Sequence, residues 1–295
     1  MYSQIDRNKR RSIILVMIFV AVIILLGWIF GKITGYGYAG LWIAVIISIV
    51  MSLFSYYSGD KIALATSGAK EIKKTDNPYV YRMVENLCIT AGLPMPKVHI
   101  ISEPAINAFA TGRDPEHASI AITQGAIDKL ENEELEGVIA HELSHVKNYD
   151  IRLMMIVIVL IGIVVLMSDM LIRFQFFGHR RSRESNQIGA ILLVVGIILA
   201  ILSPIFAQLI QLAISRKREY LADASGALLT RYPDGLANAL EKIGKQGQAL
   251  KRANNATAHL YISNPFGKKK RLFANLFATH PPVEKRVAEL RKMTI

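Results

Sequence analysis

The sequence predicts a helix-rich membrane protein whose polar part is divided in two along the chain and mixes helices with a little strand. Three observations carry this. Hydrophobic residues make up 52% of the 295 positions and mean hydropathy is +0.32, too apolar for an ordinary soluble domain. The excess lies in four runs. Between and beyond them the pattern changes to short β-branched segments and stretches of helical periodicity.

Taken in order, Ile13 to Phe30 carries no charge and Ala39 to Tyr57 is equally clean, each long enough to cross a hydrocarbon core of about 30 Å. The run from Leu153 to Ile172 is interrupted by Ser168 and Asp169, and the run from Ile188 to Ile214 contains Pro204, Gln208 and Gln211; both read as weaker spans. Arg7, Lys9, Arg10 and Arg11 give the N-terminus a signal-like basic start. The apolar run after them is too long for a usual signal core, however, and reads as a retained anchor. The expected organisation is a membrane hairpin (1–57), a first polar part (58–150), a second apolar pair (151–214) and a basic second polar part (215–295). The basic start held inside places the first polar part in the cytoplasm after two crossings, and the second joins it there whether the second apolar pair crosses twice or not at all. The arginines of the 173–187 loop fit an outside loop poorly, so the second pair either spans or is re-entrant.

Within the first polar part, 96–102 (PKVHIIS) and 117–123 (HASIAIT) read as strands, and 103–116 between them as loop and turn. A helix then starts with Asn132 as N-cap and Glu133, Glu134 and Glu136 near its positive end. In the second polar part, 218–232 and 281–293 have helical periodicity. The net charge of +12 comes from basic residues flanking the apolar runs, where cytoplasmic loops and anionic headgroups favour them, and so does not imply a nucleic-acid partner. Cys88 is the only cysteine, which excludes an intrachain disulfide.

The chemistry concentrates at His141-Glu142-Leu143-Ser144-His145. On a helix the i, i+4 spacing stacks both imidazoles on one face, where they can grip one Zn²⁺. Glu142 is turned by about 100° from His141, so it can serve a water beside the metal rather than the metal. A catalytic zinc takes a third protein ligand. The best candidate is Glu219, with Asp223 on the same helical face placed to accept a hydrogen bond from the far nitrogen of a ligand histidine. A solvated charge pair beside Arg218 is the plain alternative. Asp150 reads as capping or orienting the active-site helix, without a catalytic role.

As an ordered set, two apolar runs, NAFATG (107–112), HELSHVKNYD (141–150), two further apolar runs, SRKREYLAD (215–223) and ATHPP (278–282) resemble the HtpX-type membrane zinc metallopeptidases, relatives of the CAAX prenyl proteases. The resemblance implies an α+β zincin-like domain, mainly helical with a small sheet, attached to about four transmembrane or membrane-associated helices. It implies one Zn²⁺ per subunit on His141, His145 and Glu219, with Glu142 as general base. It further implies protein substrates, misfolded membrane proteins among them, and a bacterial cytoplasmic membrane location with the protease domain and both termini inside. The wider group suggests His280 as an oxyanion stabiliser. Ser119, Ile120 and Ala121 read as an exposed edge for an extended substrate, with Asn107, Ala108 and Phe109 lining the cleft. An ordinary sheet edge and turn is the alternative.

Other classes fit less well. An intramembrane protease would bury its motif in an apolar span, whereas DKLENEELEG precedes this one. A metal carrier would place ionisable ligands inside several spans, where Asp169 stands almost alone. A prenyl-protein processing enzyme is separated only by the small amount of membrane-embedded chain.

Overall fold

A computed structural model of the protein describes residues 2–34, 38–156, 216–252, 260–263, 265 and 281–294. Two long helices, α1 (Tyr2–Thr34) and α2 (Tyr38–Ser67), pack against each other. A three-residue strand β1 (Ala69–Glu71) leads to α3 (Pro78–Ala91). The Asn77 side chain caps α3 by accepting from Val80 N–H at 3.1 Å, and Gly92 ends it at φ 65°. Then come β2 (Lys97–Ile101), β3 (Ala108–Gly112), β4 (Ala118–Thr123), the short α4 (Gln124–Lys129) and α5 (Asn132–Lys147). Residues 150–156 are again helical. Beyond residue 215 lie α6 (Arg216–Thr230), α7 (Pro233–Gln246) and α8 (Val283–Leu290).

The strands form one mixed sheet in the order β1-β2-β4-β3, with β2 and β4 parallel and the outer pairs antiparallel. Strand alternation divides the side chains between two cores. Val98, Ala108, Ala110, Ile120 and Ile122 face a core made with α3, α5 and α7. Ile101, Phe109 and Ala121 face a second core with Ala63, Leu153, Met154 and Tyr261.

This sheet corrects two expectations. Residues 108–112 are a strand rather than loop: Ala, Thr and Gly give little β signal of their own, and pairing with β4 imposes the extended form. HASIAIT is not the edge, because β4 is paired on both sides and Ser119, Ile120 and Ala121 are buried inside it. The edge is β3.

α5 is buried almost all round, from Glu134 to Val146. Its start is one residue earlier than expected, with Glu131 as N-cap donating its N–H to the Glu134 carboxylate at 2.8 Å. Two glycines let neighbours close on it. A Cβ on Gly137 would stand 2.7 Å from the Leu236 nitrogen of α7, and one on Gly226 of α6 would stand 2.9 Å from the His141 nitrogen.

Taken over the described residues, no helix is long and apolar enough to cross a membrane. The apolar runs at 13–30 and 39–57 each include side chains outside the described set, and the runs expected at 153–172 and 188–214 lie outside it almost entirely. The described surface of α1 and α2 is nonetheless strongly apolar, with Ile13, Met17, Trp42, Ile46, Val50 and Leu53 all exposed.

Candidate metal centre

The site forms where α5 meets α6. His141 and His145 stack one turn apart on α5, with Nε2 atoms 3.2 Å apart. Glu219, in the first turn of α6, brings Oε1 to 3.6 Å from His145 Nε2 and Oε2 to 3.9 Å from His141 Nε2. All three side chains are buried, and their ligand atoms lie within 4.8 Å of one another. A tetrahedral ion at about 2.0–2.2 Å from its ligands separates donor atoms by about 3.3–3.6 Å, so the cluster has the right size.

The hydrogen-bond chemistry makes the same point. His141 Nδ1 lies 2.9 Å from Asp223 Oδ1, off the line of the ring N–H and so a bent contact. His145 Nδ1 lies 3.0 Å from Asp150 Oδ2. A carboxylate facing Nδ1 selects the tautomer with its proton there. The two Nε2 atoms and the Glu219 carboxylate then face one point, a donor set that suits a bound cation.

Behind each histidine stands a carboxylate, and behind each carboxylate an arginine. Arg286 of α8 grips both Asp223 oxygens, at 2.8 and 2.6 Å, and gives its Nη1 proton to Ile262 C=O at 3.0 Å. It also reaches to 3.5 Å from His141 Nε2 and 4.0 Å from Glu219. Arg218 of α6 donates to Asp150 Oδ1 at 2.7 Å. Asp223 stands beside His141, in a bent contact rather than the well-aligned hydrogen bond expected of it. Asp150 does more than end the helix, since its carboxylate also holds the His145 ring. Arg286 and Arg218 were not legible as site residues: each sits in a basic stretch with nothing local to set it apart, and Arg218, read as solvated in the plain alternative, is 2% exposed.

The electrostatics follow from this wiring. Burial pushes His141 down to about 4, with Arg286 and His145 adding and Asp223 opposing. Burial also disfavours charge on His145, but the Asp150 hydrogen bond and the Glu219, Asp150 and Glu142 carboxylates outweigh it and raise the group to about 9. Against the effect of its burial, Arg286 and His141 hold Asp223 at about 2. Glu142, 2% exposed, is pushed up to about 7, chiefly by burial and then by Glu219, against the opposing pull of His145, the Ala110 backbone and Arg286. The His145 and Glu219 side chains and the Ala110 backbone of β3 are thus among its neighbours.

The remaining candidates are scattered. Asn107 is buried: its N–H donates to Thr123 Oγ1 at 2.9 Å and its side-chain amide to Ser263 C=O at 3.3 Å, so it fixes the entry to β3. Ala108 C=O accepts from Ile262 N–H at 3.0 Å, and Phe109 packs edge-on against Tyr261. His280 lies outside the described residues. His99 is buried on β2, and His117 pairs with Asp114 at 2.7 Å, both away from the centre.

Comparison with known proteins agrees with this arrangement. The sequence profile of peptidase family M48 matches residues 74–294. The chain is 45% identical to a protein named protease HtpX homolog from Tropheryma whipplei (strain Twist), over 99% of this chain and 98% of that one. It is 43% identical to the protease HtpX homolog of Dictyoglomus thermophilum, over 99% and 94%. Among solved structures, the crystal structure of S. mikatae Ste24p is similar in fold, with a TM-score of 0.51 at 17% identity, covering 98% of this chain and 67% of that one.

Proposed function

The chain belongs to peptidase family M48 and is a metalloprotease; from that premise we propose that it is a zinc-dependent endopeptidase acting on membrane proteins, misfolded ones among them, at the cytoplasmic face of a bacterial membrane. The observation that carries the reading is the convergence of the buried His141, His145 and Glu219 beside the buried Glu142 carboxylate. The donor set of two imidazoles and one carboxylate suits zinc.

When bound, the ion supplies Lewis acidity to the scissile carbonyl and acidifies water. Glu142 takes the proton of the attacking water and returns it to the departing amine. Asp223 and Asp150 hold the ligand imidazoles in one tautomer and one orientation. β3 is the edge strand, and an extended peptide pairing with it beyond Ala108 lies next to Glu142. His280, shortly before the helix that carries Arg286, is the proposed oxyanion partner.

The exposed apolar faces of α1 and α2 support a membrane location, since a soluble chain rarely leaves so much contiguous apolar surface in water. In this reading 1–57 and 151–214 are the membrane pairs, and 58–150 and 215–295 together build the protease domain.

The test is to purify the protein and its Glu142→Gln variant without metal and follow cleavage of an unfolded protein as Zn²⁺ is restored. Wild type should cut only with zinc. The variant should bind zinc with unchanged stoichiometry and lose about 10²–10⁴-fold in rate. Failure of zinc-loaded wild type to cut would sink the reading, and selective cleavage of a prenylated peptide would redirect it to processing of lipidated chains.

A further inference from the structure

The carboxylate behind His145 has a third partner, from the far N-terminus. Asn8 of α1 is 1% exposed, and its side-chain amide donates to Asp150 Oδ1 at 2.7 Å and to Asn148 C=O at 2.8 Å. Both partners are acceptors, so the NH₂ end must point toward them; flipping the amide would set oxygen against oxygen. Each Asp150 oxygen is then committed. Oδ1 takes Arg218 and Asn8, while Oδ2 faces the His145 ring.

The same contact secures the turn that carries Asp150. Asn148 ends α5, and Tyr149 follows at φ 59°, a left-handed conformation that costs a non-glycine residue energy and needs neighbours to hold it. Asn8 holds the carbonyl just before that residue, and Lys9 sits over the Tyr149 ring at 4.5 Å from its centroid. Two consecutive residues of α1 thus brace three consecutive residues after the ligand helix. Five residues further on, α1 enters its apolar run.

We infer that Asn8 is a positioning residue of the metal centre: by fixing Asp150 it fixes the His145 imidazole, and metal affinity therefore depends on the N-terminal helix. The inference rests on the reading of His141, His145 and Glu219 as metal ligands. Groups that orient a ligand histidine typically change metal affinity by about 10–100-fold. Asn8 acts one step further out, so a change on the order of tenfold is expected, the low end of that range.

The experiment uses the full-length protein in detergent, stripped by chelator, and measures Zn²⁺ affinity by competition with a chromophoric chelator. Asn8→Ala should weaken zinc on the order of tenfold. Asn8→Asp keeps the shape, has no donor hydrogens and opposes the Asp150 carboxylate, so it should weaken zinc at least as much. In an Asp150→Ala background, Asn8→Ala should add no further loss, because its route to the metal is gone. The visible absorption of the Co²⁺-substituted protein should shift in Asn8→Ala as it does in Asp150→Ala. Unchanged zinc affinity in both Asn8 variants overturns the inference, as does a double variant whose loss is the product of the two single losses. Should Asn8→Ala fail to unfold cooperatively, Asn8→Ser, which keeps one donor, takes its place in the cycle. Wild type that binds no zinc overturns the metal reading itself, a distinct result.

Discussion

The two ligand histidines stand on one helix, one turn apart, yet their supports are built from different parts of the molecule. Behind His141 the chain Asp223–Arg286–Ile262 closes within the C-terminal half, by two bonds from a single guanidinium. Behind His145 the carboxylate of Asp150 is shared between Arg218 of α6 and Asn8 of α1. One support is a rigid fork, and the other is a junction of three segments. The rings also differ in charge: burial, helped by Arg286 and His145, holds His141 well below the ordinary imidazole range, whereas Asp150, Glu219 and Glu142 raise His145 above it against its burial. The support of His141 thus stays within the C-terminal half, while that of His145 connects the centre to the helix that leads into the apolar hairpin.

The largest way to break the comparison is to remove the carboxylates. Asp223→Ala removes both short carboxylate bonds of Arg286, which is 1% exposed and keeps only Ile262 C=O and the more distant Glu219, an expected loss of up to about 3–5 kcal/mol. Asp150→Ala removes one arginine bond rather than two and should cost less. Thermal unfolding of the metal-free variants ranks them, and equal losses would erase the distinction. Zinc titration of the same pair should show weakening of about 10–100-fold in each.

Exchanging arginine for lysine sharpens the contrast at smaller scale. Lysine cannot reproduce a two-pronged grip, so Arg286→Lys should weaken zinc binding roughly tenfold. Arg218 gives Asp150 a single bond, which lysine can replace, so Arg218→Lys should be the milder change. If Arg218→Lys proved the more damaging in zinc titration, the fork would not be the tighter support.

The two close helix crossings give the least direct contrast. Gly226→Ala and Gly137→Ala each drive a methyl into backbone and should destabilise by about 1–3 kcal/mol. The first pushes at the His141 backbone from the helix that carries Glu219, whereas the second pushes at α7. Zinc affinity should therefore fall in Gly226→Ala and hold in Gly137→Ala, as a titration of the two proteins at low temperature would reveal.

What was legible in the sequence was local. HExxH and the Glu219–Asp223 spacing are read within one or two helical turns, and the structure brings His141, His145, Glu219 and Asp223 together. β4 and β2 were legible because their own side chains are β-branched. β3 was not, because AFATG becomes a strand only through its neighbour, and the sheet edge was accordingly assigned to the wrong strand. Arg286, Arg218 and Asn8 act across long stretches of chain, the last across 142 positions to Asp150, and no spacing rule reports such contacts. The membrane spans rest on composition alone.

The division of the ligands along the chain also sets a clock on synthesis. His141 and His145 are translated well before Glu219, and 74 positions separate the last two (219 minus 145). At about 5–20 residues per second the ribosome takes roughly 4–15 s to cover that interval. On the proposed reading, the nascent chain throughout it holds two ligands and a general base but no third ligand, and Arg286 arrives later still. The proposed centre thus stays incomplete until the apolar segments between its halves have been made, and a ribosome-bound fragment ending before residue 219 should not cut its neighbours.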